Sequence, residues 1–117
     1  MLVLSIVLGA FGAHGLRNLI SIDRLQTFEV GVRYQWYGSL SLLVLALCSE
    51  RIPFSLQWFN RLTISGIILF SGSIYLISLS ELLPINPRIL GPITPIGGAM
   101  MILGWIIFII GMLRVKS

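Results

Sequence analysis

Four apolar runs separated by short polar breaks set the pattern of this chain. The first, residues 1–16, is interrupted only by Ser5 and His14. As a helix it spans about 24 Å, short for a hydrocarbon core of ~30 Å. No Lys or Arg precedes it, so the basic start of a cleavable signal segment is missing and the run reads as a retained span. The second run, residues 24–49, is longer than one span needs. Its first half is amphipathic: Leu25, Phe28, Val32 and Trp36 share a face, and Gln26, Glu29, Arg33 and Tyr37 form a polar stripe beside it. From Leu40 to Cys48 it is apolar all round. Asp23 is placed to cap this helix, with Gln26 at capping-box spacing. Residues 50–61 read as a loop, because Pro53 breaks a helix and Trp58 suits a membrane interface.

The third run, residues 62–83, is rich in small residues: Ser65, Gly66, Ser71, Gly72, Ser73, Ser78 and Ser80. In the loop after it, residues 81–91, Pro84 and Pro87 are expected to block any helix. The fourth run, residues 95–113, is introduced by Gly91-Pro92-Ile93-Thr94-Pro95-Ile96-Gly97-Gly98. There Thr94 reads as the N-cap and Pro95 as the first helical residue. Arg114 and Lys116 close the run at a polar boundary.

This pattern predicts an all-α membrane protein: one domain, with four transmembrane helices in an antiparallel up-down bundle. No internal repeat is visible, so an inverted-repeat transporter is not indicated. Glycines recur at seven-residue spacing, Gly31 with Gly38 and then Gly97, Gly104 and Gly111, which keeps small residues on one seam of a helix pair. Gly9 and Ala13 form a further small pair one turn apart.

Composition supports that reading. The chain is 56% hydrophobic and 10% charged, with a mean hydropathy of +0.99, whereas a soluble domain carries roughly 25% charged residues. Lipid must therefore be part of its solvent. The net charge is +4, but the basic residues sit mostly at the ends of apolar runs, where they orient a membrane protein; nucleic acid is not an expected partner. Arg17, Arg24, Arg33 and Arg88 fall on one side, and Arg51, Arg61, Arg114 and Lys116 on the other. Placing Arg33 within the membrane tips the count toward both termini in the cytoplasm. Cys48 is the single cysteine and makes no intramolecular disulfide.

Three features compete as a site. Glu29 and Arg33 are one turn apart on one face. They read either as a surface ion pair or as the lining of a polar vestibule, since charge at bilayer depth is costly and usually functional. His14, the only histidine, lies among small residues on the same membrane side, in reach of Glu29; it reads as a hydrogen-bonded structural group or as part of that vestibule. The 91–98 stretch reads as a rigid helix cap or as backbone shaped for a ligand. The topology gathers all three, with Gln26 and Tyr37, at one end of the bundle. No metal-ligand spacing, cofactor motif or catalytic constellation occurs, so neither a cofactor nor an enzyme activity is expected. The expected role is a structural or interaction protein whose partners are the lipid bilayer and either a second copy or another membrane protein. The alternative is a small-molecule or ion transporter or channel with its vestibule near His14, Glu29 and Arg33.

Four stretches, Leu8-Gly9-Ala10-Phe11-Gly12-Ala13-His14-Gly15-Leu16, Val32-Arg33-Tyr34-Gln35 with Tyr37, Leu69-Phe70-Ser71-Gly72-Ser73-Ile74-Tyr75-Leu76, and residues 91–98 with Leu103-Gly104-Trp105, carry a resemblance: with them the chain resembles the DUF423 family of small membrane proteins. It implies a four-helix integral membrane protein of the bacterial inner membrane, and no established activity. The chain departs from the family at Gly38, where members often carry a second histidine.

Overall fold

Leucine, isoleucine and valine with no proline among them carry the first run into helix α1, Leu2–Phe11. In this computed structural model, which describes residues 1–116, α1 widens into a π-helical turn over Gly12–Leu16. The single regular helix expected over 1–16 is thus corrected. The wider turn admits aromatic rings beside its glycines: a Cβ on Gly12 would stand 2.9 Å from the Phe28 ring, and one on Gly15 2.6 Å from that of Phe11. It also buries Leu16 against Ile20 and Phe28, with Leu25, Tyr75 and Leu79 packed around them.

Helix α2 runs Ile22–Leu47. Its N-cap is Ser21, not Asp23: the Arg24 N–H donates to Ser21 Oγ at 3.4 Å. Asp23 falls in the first turn, where its charge favours the helix dipole. Ser21 wins because Glu81 fixes it from outside, accepting from its hydroxyl at 3.0 Å and its N–H at 3.2 Å.

Helix α3 runs Gln57–Ser78, five residues ahead of the span expected over 62–83. Gln57, Asn60 and Arg61, read as loop because they are polar, form its first turns; polarity marks where water begins, not where a helix does. A short helix α4, Pro87–Leu90, follows. The expectation that Pro87 would block a helix is overturned. Pro87 stands at the helix start, with Asn86 as the cap accepting from Arg88 N at 3.0 Å, and there proline's missing N–H costs nothing.

Helix α5 runs Ile93–Lys116. Thr94 is therefore not the N-cap and Pro95 not the first residue; both lie inside the first turn. The Thr94 hydroxyl is 2.6 Å from that of Ser73 on α3, so its polar group bonds across the helix pair instead of capping. Among the described residues no strand forms. Among the described residues two segments are long and apolar enough to cross a membrane, Gln57–Ser78 and Pro87–Lys116; Leu2–Leu16 is apolar but shorter.

Packing follows the chain: α1 on α2, α2 on α3, and α3 on α5, the last being the most extensive interface. Neighbours run in opposite directions. Gly31 meets Ile74 and Tyr75, while Gly38, further along α2, meets Ile67, earlier on α3. Likewise Gly97 meets Gly66 and Phe70, whereas Gly104 meets Phe59 and Thr63. Phe59, fully buried, holds the far end of the α3–α5 pair against Trp105, edge-on at 5.0 Å, and Phe108 at 5.8 Å.

The closest approach is at Gly66 and Gly97. A Cβ on Gly97 would overlap the backbone nitrogen of Phe70, and one on Gly66 would lie 2.8 Å from the Gly97 carbonyl oxygen. These obstacles are backbone, so they cannot swing aside. Gly97→Leu is expected to destabilise the chain by at least ~1–3 kcal/mol, the usual cost of overpacking. Gly72→Ala, whose Cβ meets nothing within 4 Å, should change it by less than about 0.5 kcal/mol. Thermal unfolding in detergent, followed by circular dichroism, measures both; equal midpoints for Gly97→Leu and the parent would contradict the packing described.

Candidate functional site

Polar side chains on apolar helices must find partners, because an unpaired polar group in a medium without water costs several kcal/mol. A row of hydroxyls and one amide does this between α1, α2 and α3. Gln35 is 3% exposed. Its Nε2 donates to the Met1 carbonyl at 2.9 Å, and its Oε1 accepts from the Tyr75 hydroxyl at 2.6 Å. Ser71 Oγ, one turn away on α3, donates to the Gly31 carbonyl at 2.7 Å. Only a glycine admits this arrangement, since a Cβ on Gly31 would stand 2.8 Å from the Tyr75 ring. Ser78 Oγ donates to the Ile74 carbonyl at 2.8 Å within its own helix. Ser39 Oγ and Thr63 Oγ1 are buried without a partner among the described residues.

At the start of α2, Arg24 donates to the Ile77 carbonyl at 3.3 Å, and its Nε lies 3.8 Å from Glu81 Oε1. With Ser21 also held by Glu81, this joins the start of α2 to the end of α3. Both charged groups are about a third exposed or more, at 33% and 40%, so the pair itself stabilises by at most ~1 kcal/mol. Sequence reasoning missed it; Arg24 and Glu81 are 57 positions apart (81 − 24), and no local spacing announces such a contact.

The residues proposed as a polar cluster lie elsewhere. His14, Gln26, Glu29, Arg33 and Tyr37 are all exposed. Among the described residues no hydrogen bond or ion pair joins any of them to another. Glu29 and Arg33 remain apart although they share a helix face. His14 sits on the exposed side of the π turn, and no bond links it to Glu29. The 91–98 stretch is divided: Gly91 ends α4, exposed Pro92 follows, and the other six residues, Thr94, Pro95, Gly97 and Gly98 among them, belong to α5. Of the predicted packing glycines, Gly31 and Gly38 face α3 from α2. Gly97 and Gly104 face α3 from α5, Gly111 meets Phe54, and Gly9 meets Val32 at an ordinary 3.4 Å. Ala13 is exposed.

Replacing Tyr75 by Phe removes the hydroxyl from Gln35 and leaves a buried acceptor unpaired; a loss of about 1–3 kcal/mol is expected. Thr63→Val removes a hydroxyl that has no partner and should be neutral or stabilising. Unfolding midpoints of the two variants in the same detergent check this, and a Tyr75→Phe protein as stable as the parent would show that the Gln35 bond contributes nothing net.

A family model described as "Protein of unknown function (DUF423)" matches residues 8–98. A UPF0382 membrane protein of Staphylococcus saprophyticus is 40% identical over 107 residues, covering 92% of this chain and 85% of that one. A UPF0382 membrane protein of Staphylococcus epidermidis is 42% identical over 106 residues, covering 91% and 83%. The UPF0382 membrane protein YwdK of Bacillus subtilis is 38% identical over 114 residues, covering 96% and 89%. No solved structure matches the chain.

Proposed function

This chain belongs to the DUF423 family, and from that premise we propose that it is a structural or interaction protein of the bacterial inner membrane, with no reaction of its own. On this reading α1 with its π turn, α2, α3 and α5 cross the bilayer as an antiparallel up-down bundle with cytoplasmic termini. Its relatives are named membrane proteins. Helix α3, 22 residues long, reaches about 33 Å at the helical rise, the thickness of a hydrocarbon core. The outer surface suits lipid: Val3 at 74%, Ile102 at 62% and Leu113 at 61% stand open.

One observation carries the interaction reading over transport. The α3–α5 seam is closed at backbone distance by Gly66 and Gly97, and the α2–α3 seam by the Tyr75, Ile74 and Ile67 side chains seated on Gly31 and Gly38. What lies buried between them is neutral: serine and threonine hydroxyls and the Gln35 amide. A transport path would need charge or water inside the bundle. The charged candidates Glu29 and Arg33, and His14 with them, are instead on the perimeter, which weighs against a vestibule.

Two measurements test this. Single cysteines at Asn86 and Lys116 in a Cys48→Ser background, probed with an impermeant maleimide on intact spheroplasts, should label at 86 and not at 116. Labelling of both from outside would break the up-down topology. Proteoliposomes of the parent chain should carry no proton or potassium flux above empty vesicles, and a flux abolished by Glu29→Gln would replace this reading with the transporter.

A further inference from the structure

A groove of about 570 Å³ opens on the surface between α2 and α5. Both helices run against α3, so they are parallel to each other and start at the same end. Tyr34, Phe70 and Gly98 form the head of the groove, Trp105 and Ile106 line its wall, and Ile109 marks its foot. From Gly98 to Ile109 it follows the helices for about 16 Å at the helical rise. Below the head its lining is apolar apart from Ser41, whose hydroxyl donates to the Tyr37 carbonyl at 2.7 Å, and its volume lies within the ~300–1,000 Å³ of ligand pockets.

Two phenols, Tyr34 and Tyr37, stand at the head, and outside the lining the α2 ridge that carries Tyr37 continues with Arg33 and then Glu29 at four-residue steps. The Tyr34 ring packs on Phe70 at 5.0 Å and meets Tyr37 edge-on at 5.8 Å. Among the described residues neither phenolic hydroxyl has a hydrogen-bond partner. Helical side chains lean toward the helix start, so these phenols tilt toward the turn that carries Arg33. Arg33 precedes Tyr34 in the chain and lies one turn before Tyr37, which makes the two neighbours on the helix surface. It is exposed and without an ion pair among the described residues. It stands about 16 Å along α2 from Ile22 at the helical rise, below the Arg24–Glu81 level that marks the polar end. A guanidinium at that depth needs a counter-ion. Glu29, also unpaired, is one further turn outward.

We propose that this groove binds one glycerophospholipid with an ethanolamine headgroup. An acyl chain lies between α2 and α5 against Phe70 and Trp105. The phosphodiester accepts hydrogen bonds from the Arg33 guanidinium and the Tyr34 and Tyr37 hydroxyls. The headgroup ammonium pairs with Glu29. The order of donors and then carboxylate toward the membrane surface matches the order of phosphate and then ammonium in that lipid; a net-anionic headgroup would meet Glu29 with like charge. Bidentate binding of phosphate by arginine accounts for the choice of cation. The site rests on the membrane-bundle reading above and names its lipid partner.

The test is native mass spectrometry of the full chain released from micelles holding equal amounts of phosphatidylethanolamine, phosphatidylglycerol and phosphatidylcholine. One phosphatidylethanolamine per chain is expected to survive. Arg33→Ala should lower its retention roughly tenfold, the loss of about one charge-assisted bond, with helicity and unfolding midpoint unchanged. Ile106→Trp, which fills the groove and leaves the charges in place, should lower it as well, and gives the same readout if the arginine variant does not fold. Glu29→Gln should shift retention toward phosphatidylglycerol. A folded parent chain that retains no lipid, or prefers phosphatidylglycerol, overturns the site while leaving the bundle intact. Failure of the bundle itself would instead appear in the cysteine labelling pattern.

Discussion

The contact between Gly66 and Gly97 sets the position of everything packed on α3. Apolar helices in lipid have no hydrophobic reason to leave it, so association depends on close van der Waals contact and interhelical hydrogen bonds. At this point the two backbones are near enough that even a methyl group would strike main-chain atoms. Such a contact tolerates almost no axial slip, and it fixes the level of α5. One turn before it, Thr94 meets Ser73. Two turns after, Gly104 meets Thr63, and beyond that Gly111 meets Phe54. Helix α5 reaches the rest of the molecule mainly through α3, so this seam also decides how far α5 stands from α2, and hence the width of the groove between them.

Glycines and hydroxyls act together across the α2–α3 pair. The bare Cα of Gly31 lets the Tyr75 ring come close, and the same clearance brings Ser71 within 2.7 Å of the Gly31 carbonyl. Tyr75 then reaches Gln35, which in turn reaches the Met1 carbonyl. Three helices are thereby linked by neutral bonds, each stronger in a low dielectric than in water. A charged group in the same row would carry a desolvation penalty that such a small bundle has little means to offset.

The parts of this fold that depend on repetition were legible in the sequence. Long apolar runs announced helices, and seven-residue glycine spacing named Gly97, Gly104 and Gly111 on one face. Gly66 escaped, because it is the partner of that row and has no repeat of its own on α3. Helix ends were misread for two different reasons. Ser21 caps α2 in place of Asp23 because a residue from the distant 81 position holds it there. Pro87 opens a helix that proline was expected to block. The candidate ion pair was misleading for a related reason. An exposed pair one turn apart stabilises by only a few tenths of a kcal/mol, too little to hold two long side chains in one geometry. Glu81 is held by three groups at once, which makes Arg24–Glu81 an organised contact where Glu29 and Arg33 are not.

That difference has a consequence for where recognition can occur. Among the described residues the buried polar side chains are hydrogen-bonded, apart from the Ser39 and Thr63 hydroxyls. The polar groups left unengaged, including Arg33, Glu29 and the two groove tyrosines, lie on the perimeter, above or beside apolar surface. A small bundle whose interior is closed by glycine contacts has only its outside with which to select a partner. Within a bilayer, the molecules that meet that outside carry a long apolar part and a charged end. The apolar wall on α5, followed on α2 by phenols, guanidinium and carboxylate toward the polar end, has the same polarity along its length as such a molecule. The unpaired state of Glu29 and Arg33, unfavourable if the chain stood alone, is then what leaves both charges available.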